Sequence, residues 1–358
     1  MKRWAKRISL AFGLVAFFFC AGWITRYVTK VCIPYTAKAD KIEKTLYSDD
    51  EDMNSVDVCL IGGSHGLNAF NPNTMWEKAG IHAYNYCYAG ETLAITKVYL
   101  EELFKKRNYQ VVVVDTYYAG VADPYFGEDN YAYDILNKME NTEAKEEYVE
   151  AHVHAKKRKD FTFPLNRYHS RWLKLDDKDF ERKPDPSDDW QLGQDYHYKI
   201  NDGHKVHFGA WKDQGQTTEL RDGVEQELRD VIKLVQSHGA KLVLADVPRR
   251  MGDSVFPTRF LADEYATVNR VKEIAAEYGV KVIQFDDQAL EKIGFIPEKH
   301  MYNKGHMNIY GSEVYSKALA DILVEEYGVK QYDRNLSDLW EQYFAEYTKH
   351  RNNNRNLK

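Results

Sequence analysis

Short apolar runs alternate with amphipathic segments along most of the chain. The runs are rich in β-branched residues and have the length of buried strands. They lie at Val56–Ile61, His82–Tyr88, Val111–Val114, Lys241–Asp246 and Val280–Phe285. Helical apolar spacing occurs at Ala94–Lys105, from Leu220 to Val235, at Ala262–Tyr278 and at Gly311–Glu326. Strands that alternate with helices predict an α/β fold with a doubly wound parallel sheet.

The N-terminus carries a longer apolar run. Ile8–Thr25 has 18 residues without a charge and follows four basic residues, which is just enough to span a bilayer. The flanking charge favours an N-terminus inside the cell. A cleaved signal peptide, the alternative, would have a shorter apolar core and a small-x-small site. We predict an uncleaved, single-pass signal-anchor over 1–30 in the cytoplasmic membrane, with the rest of the chain extracytoplasmic.

Three further boundaries follow from the pattern. The polar segment 31–53 predicts a stalk, 54–330 the main domain, and 331–358 an amphipathic helix with a polar tail. Within the main domain the alternation stops and aromatic residues become frequent, so we predict an inserted cap at about 119–217. Its aromatic side chains would either line a carbohydrate or lipid groove or form the small core of the cap.

Composition narrows the functional classes. A net charge of −6 and an acidic pI of about 6.1 argue against nucleic-acid binding. The four cysteines, Cys20, Cys32, Cys59 and Cys87, form no metal-type pair; buried thiols are expected, and a Cys59–Cys87 disulfide is compatible but not implied. The nucleotide-binding glycine motifs are absent from the sequence. We predict no cofactor and no metal.

The first strand leads into Gly62-Gly63-Ser64-His65-Gly66. The glycines permit a tight turn, and Ser64 would open a helix at the carboxyl edge of the sheet, where open α/β sheets bind ligands. Ser64 is therefore a candidate nucleophile, or else a serine that caps the helix. The segment also fits the G-x-S-x-G elbow of α/β-hydrolases, but those enzymes have several strands before the serine.

A serine nucleophile needs a base, usually a histidine. His306 lies between the last predicted strand and the last long helix. Connections of that kind lie at the same edge of a parallel sheet as Ser64, so the two residues can meet. The alternative is a loop histidine that caps the following helix.

Ser64 after the first strand, Gly90 after the second and the late His306-Met307-Asn308-x-x-Gly311 resemble the SGNH/GDSL hydrolase superfamily. The resemblance is closest to its membrane-anchored bacterial, DltD-like branch, and covers about Val56–Val114 and Glu219–Leu323. It implies a three-layer α/β fold whose doubly wound parallel sheet is flavodoxin-like. It implies that Ser64 is the nucleophile, that His306 is the general base, and that the N–H groups of Ser64 and Gly90 form the oxyanion hole.

The resemblance also implies a serine esterase or O-acyltransferase that acts on ester-linked acyl groups of a cell-envelope polymer or glycan. The acceptor would be a cell-envelope polysaccharide or teichoic-acid-like polymer. A transferase would need a membrane-embedded acyltransferase partner that delivers the acyl group. The alternative is a weak or inactive glycan-binding or assembly subunit on the same fold.

Two departures from the superfamily pattern keep that alternative open. Asn303 stands where an aspartate usually orients the histidine, and an asparagine offers no charge and can select the wrong tautomer. Asp286, Asp287 or Glu298 could substitute for it. The superfamily's asparagine donor after the third strand is also missing, because the chain reads Asp115-Thr116-Tyr117-Tyr118 there.

Several polar residues are further candidates for substrate contact. They are His65, Asp115, His169 and Arg171. Asp246, at a strand end, could line the same site. For His65 the alternative is an ordinary residue in the first turn of a helix.

Overall fold

The computed structural model describes residues 2–34, 37–47, 51–120, 130–181, 190–200, 208, 213–221, 223–251 and 264–354. Its centre is a five-stranded, all-parallel sheet in the order β2-β1-β3-β4-β5. The strands are β1 Val58–Ile61, β2 Ala83–Asn85, β3 Val111–Asp115, β4 Lys241–Asp246 and β5 Lys281–Gln284. The predicted α/β fold with a parallel sheet is confirmed.

The chain also forms helices, some of which cover the two faces of this sheet. Those before β4 are α1 Lys2–Cys32, α2 Ala37–Tyr47, α3 Glu51–Asn54, α4 Ser64–Ala69, α5 Pro72–Ala79, α6 Leu93–Phe104, α7 Asn130–Leu136, α8 Glu143–His152, α9 Arg158–Thr162, α10 Leu165–Tyr168, α11 Asp177–Glu181 and α12 Val224–Ser237. Those after it are α13 Glu264–Glu277, α14 Asp287–Lys292, α15 Pro297–His300, α16 Ile309–Glu325 and α17 Asp338–Asn353.

Alternate residues of each strand enter different cores, because successive side chains of a strand point to opposite faces. Cys59 and Ile61 belong to the core on the side of α6 and α12. Val58 and Leu60 belong to the core on the side of α5 and α16. Both faces of the sheet are therefore covered, which explains why the strands read as continuous apolar runs.

The sheet order creates a switch point between β1 and β3. From β1 the chain passes outward to β2, and then returns to the other side of β1 as β3. Helices on opposite faces leave a crevice outside the carboxyl ends of two such strands, where doubly wound proteins bind ligands. The residues that follow β1 and β3 therefore line the natural position for a site.

The predicted N-terminal apolar helix is present. α1 has 31 residues, which corresponds to roughly 46 Å at 1.5 Å per residue against a hydrocarbon core of about 30 Å. The apolar 18-residue window within its section Lys6–Cys32 is not buried against the rest of the protein, whereas Val31 and Cys32 at the end of the section are buried. By length and composition it is able to span a membrane, and signal sequences meet the same criteria.

The segment predicted as a stalk differs from that expectation. Its described residues form α2 and α3, and Ile42, Leu46 and Met53 are buried in the main core. Lys41 of α2 donates hydrogen bonds to the carbonyls of Cys87 and Gly193, at 2.8 and 2.7 Å. A few apolar residues among many charges were enough to attach this segment to the domain.

The described part of 119–217 consists of short helices and turns. Tyr133 and Phe161 are buried in the main core, whereas Trp190 packs with Tyr196 and Tyr347 in a separate cluster. The aromatic side chains therefore do not form one core of their own. Tyr125, Phe126 and Trp211, which we also assigned to the cap, lie outside the described residues.

The described cysteines are all unpaired. Cys59 and Cys87 are buried on β1 and after β2, and burial raises the pKa of both thiols well above their usual value. They are therefore inert packing residues at neutral pH.

Candidate active site

Ser64 lies at the carboxyl end of β1, where a glycine turn connects the strand to α4. Gly62 has φ of +134°, which side-chain-bearing residues rarely adopt, and a Cβ on it would lie 2.8 Å from Cβ of Asp115. Ser64 is the first residue of α4. Its N–H group consequently has no partner within the helix and is available at the site.

His306 approaches Ser64 from the loop between α15 and α16. Its Nε2 lies 2.9 Å from Oγ of Ser64, across 242 positions of sequence. A bridge between Met301 and Met307 closes the loop. The cap of α16 is Asn308, whose Oδ1 accepts a hydrogen bond from the N–H of Gly311 at 3.0 Å. The histidine is therefore not the helix cap, and its ring faces the serine.

Asn303 meets the other ring nitrogen of this histidine. Its Oδ1 lies 3.1 Å from Nδ1 of His306 and also accepts hydrogen bonds from the backbone N–H groups of Gly305 and His306, at 2.9 and 2.8 Å. If the Asn303 amide were turned round, its NH₂ group would face two N–H donors and could accept from neither. The hydrogen bonds therefore require the amide oxygen at this position. The oxygen in turn requires a proton on Nδ1, which leaves Nε2 free to accept from Ser64.

Asp286, one of the acids considered as substitutes, does not take this position. Asp286 accepts a hydrogen bond from the N–H of Ala289 at 2.8 Å and caps α14. The amide of Asn303 therefore holds the tautomer that a serine–histidine pair requires, without a carboxylate.

The surroundings of His306 favour its neutral form. Its pKa is lowered to about 4, mainly by burial and in part by the positive charge of a protonated His197, while Asp195 opposes the shift. The ring is thus unprotonated at neutral pH and able to accept a proton. His197, from the segment 190–200, stacks on Tyr302 of the His306 loop, with 4.0 Å between ring centroids. The sequence offered no periodic signal that would have placed His197 here.

Gly90 lies in the turn that follows β2, beside the turn of Ser64. The two turns are joined by a 2.9 Å hydrogen bond from the N–H of Tyr88 to the carbonyl of Gly62. Gly90 has φ of +78°, and a Cβ on it would lie 2.4 Å from Cγ of Tyr131 in α7. Only glycine fits this turn, which brings its backbone to the same edge of the sheet as Ser64.

Asp115 is buried and braces the turn that carries Ser64. Its carboxylate accepts hydrogen bonds from the N–H groups of Gly66 and Tyr117, at 3.0 and 3.1 Å. Burial raises its pKa to about 6, although these two hydrogen bonds and Arg249 oppose the shift. Asp115 therefore connects the end of β3 to α4 through the backbone.

His65 lies beneath the His306 loop. Its ring stacks on Tyr117 at 3.6 Å and lies 4.9 Å from the ring of His306, between centroids. Its Nδ1 is buried without a hydrogen-bond partner among the described residues. Burial lowers its pKa well below the usual value, and His306 and Arg249 add to this effect. His65 is therefore a neutral packing residue under the proposed base.

A buried arginine adjoins the site and was not singled out in the sequence. Arg249, just after β4, forms ion pairs with Asp246 at 2.5 Å and with Glu264 at 3.2 Å, and lies 5.2 Å above the ring of Tyr117. Asp246 and Arg249 line a small cavity at the ends of β4 and β5, together with Phe208, Pro248, Met251, Tyr265, Phe285, Asp287 and Leu290.

The two remaining candidates lie at the end of α1. Arg171 donates hydrogen bonds to the carbonyls of Val31 and Cys32, at 3.4 and 3.2 Å, and pairs with Asp179 at 2.5 Å. Nδ1 of His169 contacts the carbonyl of Asn166. The hydrogen-bond partners of Arg171 and His169 in the structure are thus not residues of the Ser64 site.

Comparison with known proteins leaves the family open. No family model and no curated protein matches this chain.

Within the described residues, no group of three or more histidine, cysteine or acidic side chains is arranged to hold a metal ion. The geometry around Ser64 is therefore the feature that indicates a function.

Proposed function

We propose that the protein is a serine esterase or O-acyltransferase of the SGNH type, with Ser64 as nucleophile and His306 as general base. The observation that carries the proposal is the 2.9 Å contact between Oγ of Ser64 and Nε2 of His306. The contact lies at the switch point of the sheet and involves a histidine whose other nitrogen is held by Asn303. Nucleophile, base and orienting group are the parts that acyl transfer requires.

Each step has a group to perform it. Oγ of Ser64 attacks the ester carbonyl carbon while its proton passes to Nε2 of His306. The oxyanion that forms would accept hydrogen bonds from the N–H groups of Ser64 and Gly90. His306 then protonates the departing alcohol, which leaves an acyl ester on Ser64. Water, or the hydroxyl of an acceptor, then attacks the acyl carbon while His306 removes its proton. The bond from the acyl carbon to Oγ of Ser64 breaks as His306 returns the proton to Oγ, which releases the free acid or the ester of the acceptor.

The order of the parts supports the SGNH assignment. The serine follows β1, the glycine turn follows β2, and the histidine precedes the last helix of the sheet domain. The strand order is that of flavodoxin-like sheets, in which all three connections converge at one edge. An α/β-hydrolase elbow would require strands before Ser64, and none is present in the described residues that precede β1.

We propose a cell-envelope substrate on separate grounds. α1 is long enough to anchor the domain in the cytoplasmic membrane, and the basic residues before it favour an extracytoplasmic domain. The acyl group would then be taken from, or passed to, a polysaccharide or teichoic-acid-like polymer. A membrane-embedded acyltransferase would supply the acyl group in the transferase case.

A glycan-binding or assembly subunit is the second candidate. Two observations favour it. Asn303 offers no negative charge to stabilise a protonated His306, and the ring of Tyr131 lies directly against Gly90. A chain that had lost catalysis while keeping the fold would have these features.

A fluorophosphonate probe separates the two candidates, because it reacts only with an activated serine. We expect labelling of the full-length wild type and of Ser237→Ala, a change at an exposed serine at the end of α12, and no labelling of Ser64→Ala. Mass spectrometry of the labelled peptide identifies the site. An unlabelled wild type that is folded and binds a polymer would favour the binding subunit.

The acidity of His306 sets the expected pH dependence. Because burial lowers its pKa to about 4, the imidazole is neutral and active above that pH, and is protonated and inactive below it. We expect kcat/KM for ester hydrolysis to decline toward acid with a midpoint near pH 4, below the value of about 6.5 for an ordinary histidine. Assays at neutral pH after acid exposure control for unfolding. A midpoint near 6.5 would contradict the burial of the base.

A further inference from the structure

Four large apolar side chains are exposed within a stretch of 18 residues that follows α9. They are Phe163, Trp172, Leu173 and Phe180, with 54–70% of their surface exposed. We call them the 163–180 patch. Exposed apolar groups of this size in one place mark an interaction surface, whereas isolated ones are ordinary. Outside α1 and this patch, the exposed large apolar residues of the described chain are scattered.

The patch is continuous with the candidate membrane helix. α10, the 3-10 turn His169–Lys174 and α11 all contact α1. The guanidinium of Arg171 donates to the carbonyls of Val31 and Cys32 and is held by buried Asp179. The last carbonyls of a helix have no partners within it, and a cation there is favourable. This contact joins the end of α1 to the patch in a defined geometry.

The charge around the patch is opposite to that of the chain. Residues 156–180, which include the whole patch, contain eight basic and four acidic residues, a formal charge of +4, whereas the whole chain carries −6. Basic residues beside a membrane anchor are attracted to anionic lipid headgroups. Aromatic side chains favour the same interfacial depth, and α1 contributes its own stacked pair, Trp23 and Tyr27, in its last third.

We propose that the 163–180 patch inserts into the membrane interface around the end of α1 that enters the domain, with a bilayer containing anionic lipid as its partner. α1 would then fix the distance of the domain from the bilayer, and the patch would fix the tilt of the domain relative to the membrane plane. This assignment depends on the exposed side chains and their contact with α1, and it holds whether or not Ser64 is a nucleophile.

The position of the patch has a consequence for the proposed reaction, and this step rests on the proposed function. Tyr133 of α7 packs against Tyr168 of α10, with 5.8 Å between ring centroids. The neighbouring Tyr131 packs against Gly90. α7 therefore contacts both the proposed oxyanion turn and α10, the helix beside the patch, and this connection favours an acyl donor carried in the bilayer.

Spin labelling of the full-length protein tests the insertion directly. A nitroxide is attached at Trp172→Cys and, as the control, at Leu336→Cys, a residue that is 83% exposed near α17. The native cysteines are replaced by alanine. The protein is reconstituted in vesicles of phosphatidylcholine with phosphatidylglycerol. Collision with oxygen, which partitions into lipid, is compared with collision with a water-soluble nickel chelate.

We expect the oxygen-to-nickel ratio to exceed one at position 172 and to lie below one at position 336. Omitting phosphatidylglycerol should lower the ratio at 172 only. Equal ratios at the two positions would overturn the proposal. Exclusion of both reagents from 172 would also overturn it and would indicate that a protein covers the patch.

A second measurement avoids the cysteine replacements. With native cysteines, brominated phosphatidylcholine should quench the tryptophan emission less in Trp172→Phe than in the wild type. Quenching of the tryptophan emission in Trp340→Phe should not be weaker than in the wild type, since Trp340 is buried. An unchanged quenchable fraction in Trp172→Phe would contradict insertion.

Discussion

Replacing His306 with alanine is expected to lower kcat for ester hydrolysis by about 10⁶-fold, to the detection limit, the size of effect seen when the base of a serine hydrolase is removed. Nε2 of His306, 2.9 Å from Oγ, is the group that accepts the serine proton. Without it, the hydroxyl must attack with its proton in place. The measurement is the hydrolysis of an activated aryl ester by the full-length protein.

The control for this substitution is His238→Ala. His238 is an exposed histidine at the end of α12, whose ring stacks on Phe104, far along the sheet from Ser64. We expect its activity to stay at the wild-type level. Added imidazole should restore part of the activity of His306→Ala, which separates loss of a base from loss of fold. A variant that keeps more than a tenth of wild-type activity would show that His306 is not the base.

Replacing Asn303 with leucine is expected to lower kcat by about 10⁴-fold, the effect of a wrong histidine tautomer in another serine hydrolase. Leucine keeps the size of the side chain but leaves the N–H groups of Gly305 and His306 without their acceptor. Nothing then holds the proton on Nδ1. The exposed Asn335→Leu, in the 3-10 turn Arg334–Leu336, serves as the control and should remain active.

Asn303→Asp tests the same position in the opposite direction. A carboxylate can accept the same three hydrogen bonds and adds a negative charge beside the ring, which raises the pKa of a histidine by one to three units. We expect a higher kcat and a shift of the acidic limb above pH 4. A purely structural role for Asn303 would leave the pH profile unchanged, and that result would contradict a positioning role.

Local patterns predicted the elements because strands and helices of this fold carry their own periodicity. β4 begins and ends where the sequence places it, and α16 differs by two residues at its start and one at its end. The segment before β1 was misread because its buried side chains, Ile42 and Leu46, are isolated among charges. Burial there depends on a surface that the rest of the chain provides.

For the candidate site, too, the sequence predicted some features and the others required the structure. Ser64, His306 and Asn303 were nominated from motifs, because strand–turn–helix order determines which residues reach the carboxyl edge of a parallel sheet. The sequence did not show which atoms of these side chains form hydrogen bonds with each other. The orientation of the Asn303 amide depends on two backbone N–H groups of a loop, and the neutral state of His306 depends on its burial and on the charge of His197.

The sequence by itself therefore determined the α/β class, the positions of the strands and long helices, the N-terminal apolar helix and the candidate serine and histidine, since these follow from periodicity and local order. Only the tertiary structure decided how Asn303 contacts His306, that Asp115 braces the Ser64 turn, and that Arg171 lies against the end of α1 instead of the site. These contacts join residues from distant segments, and their geometry exists only once the sheet and its loops have packed together.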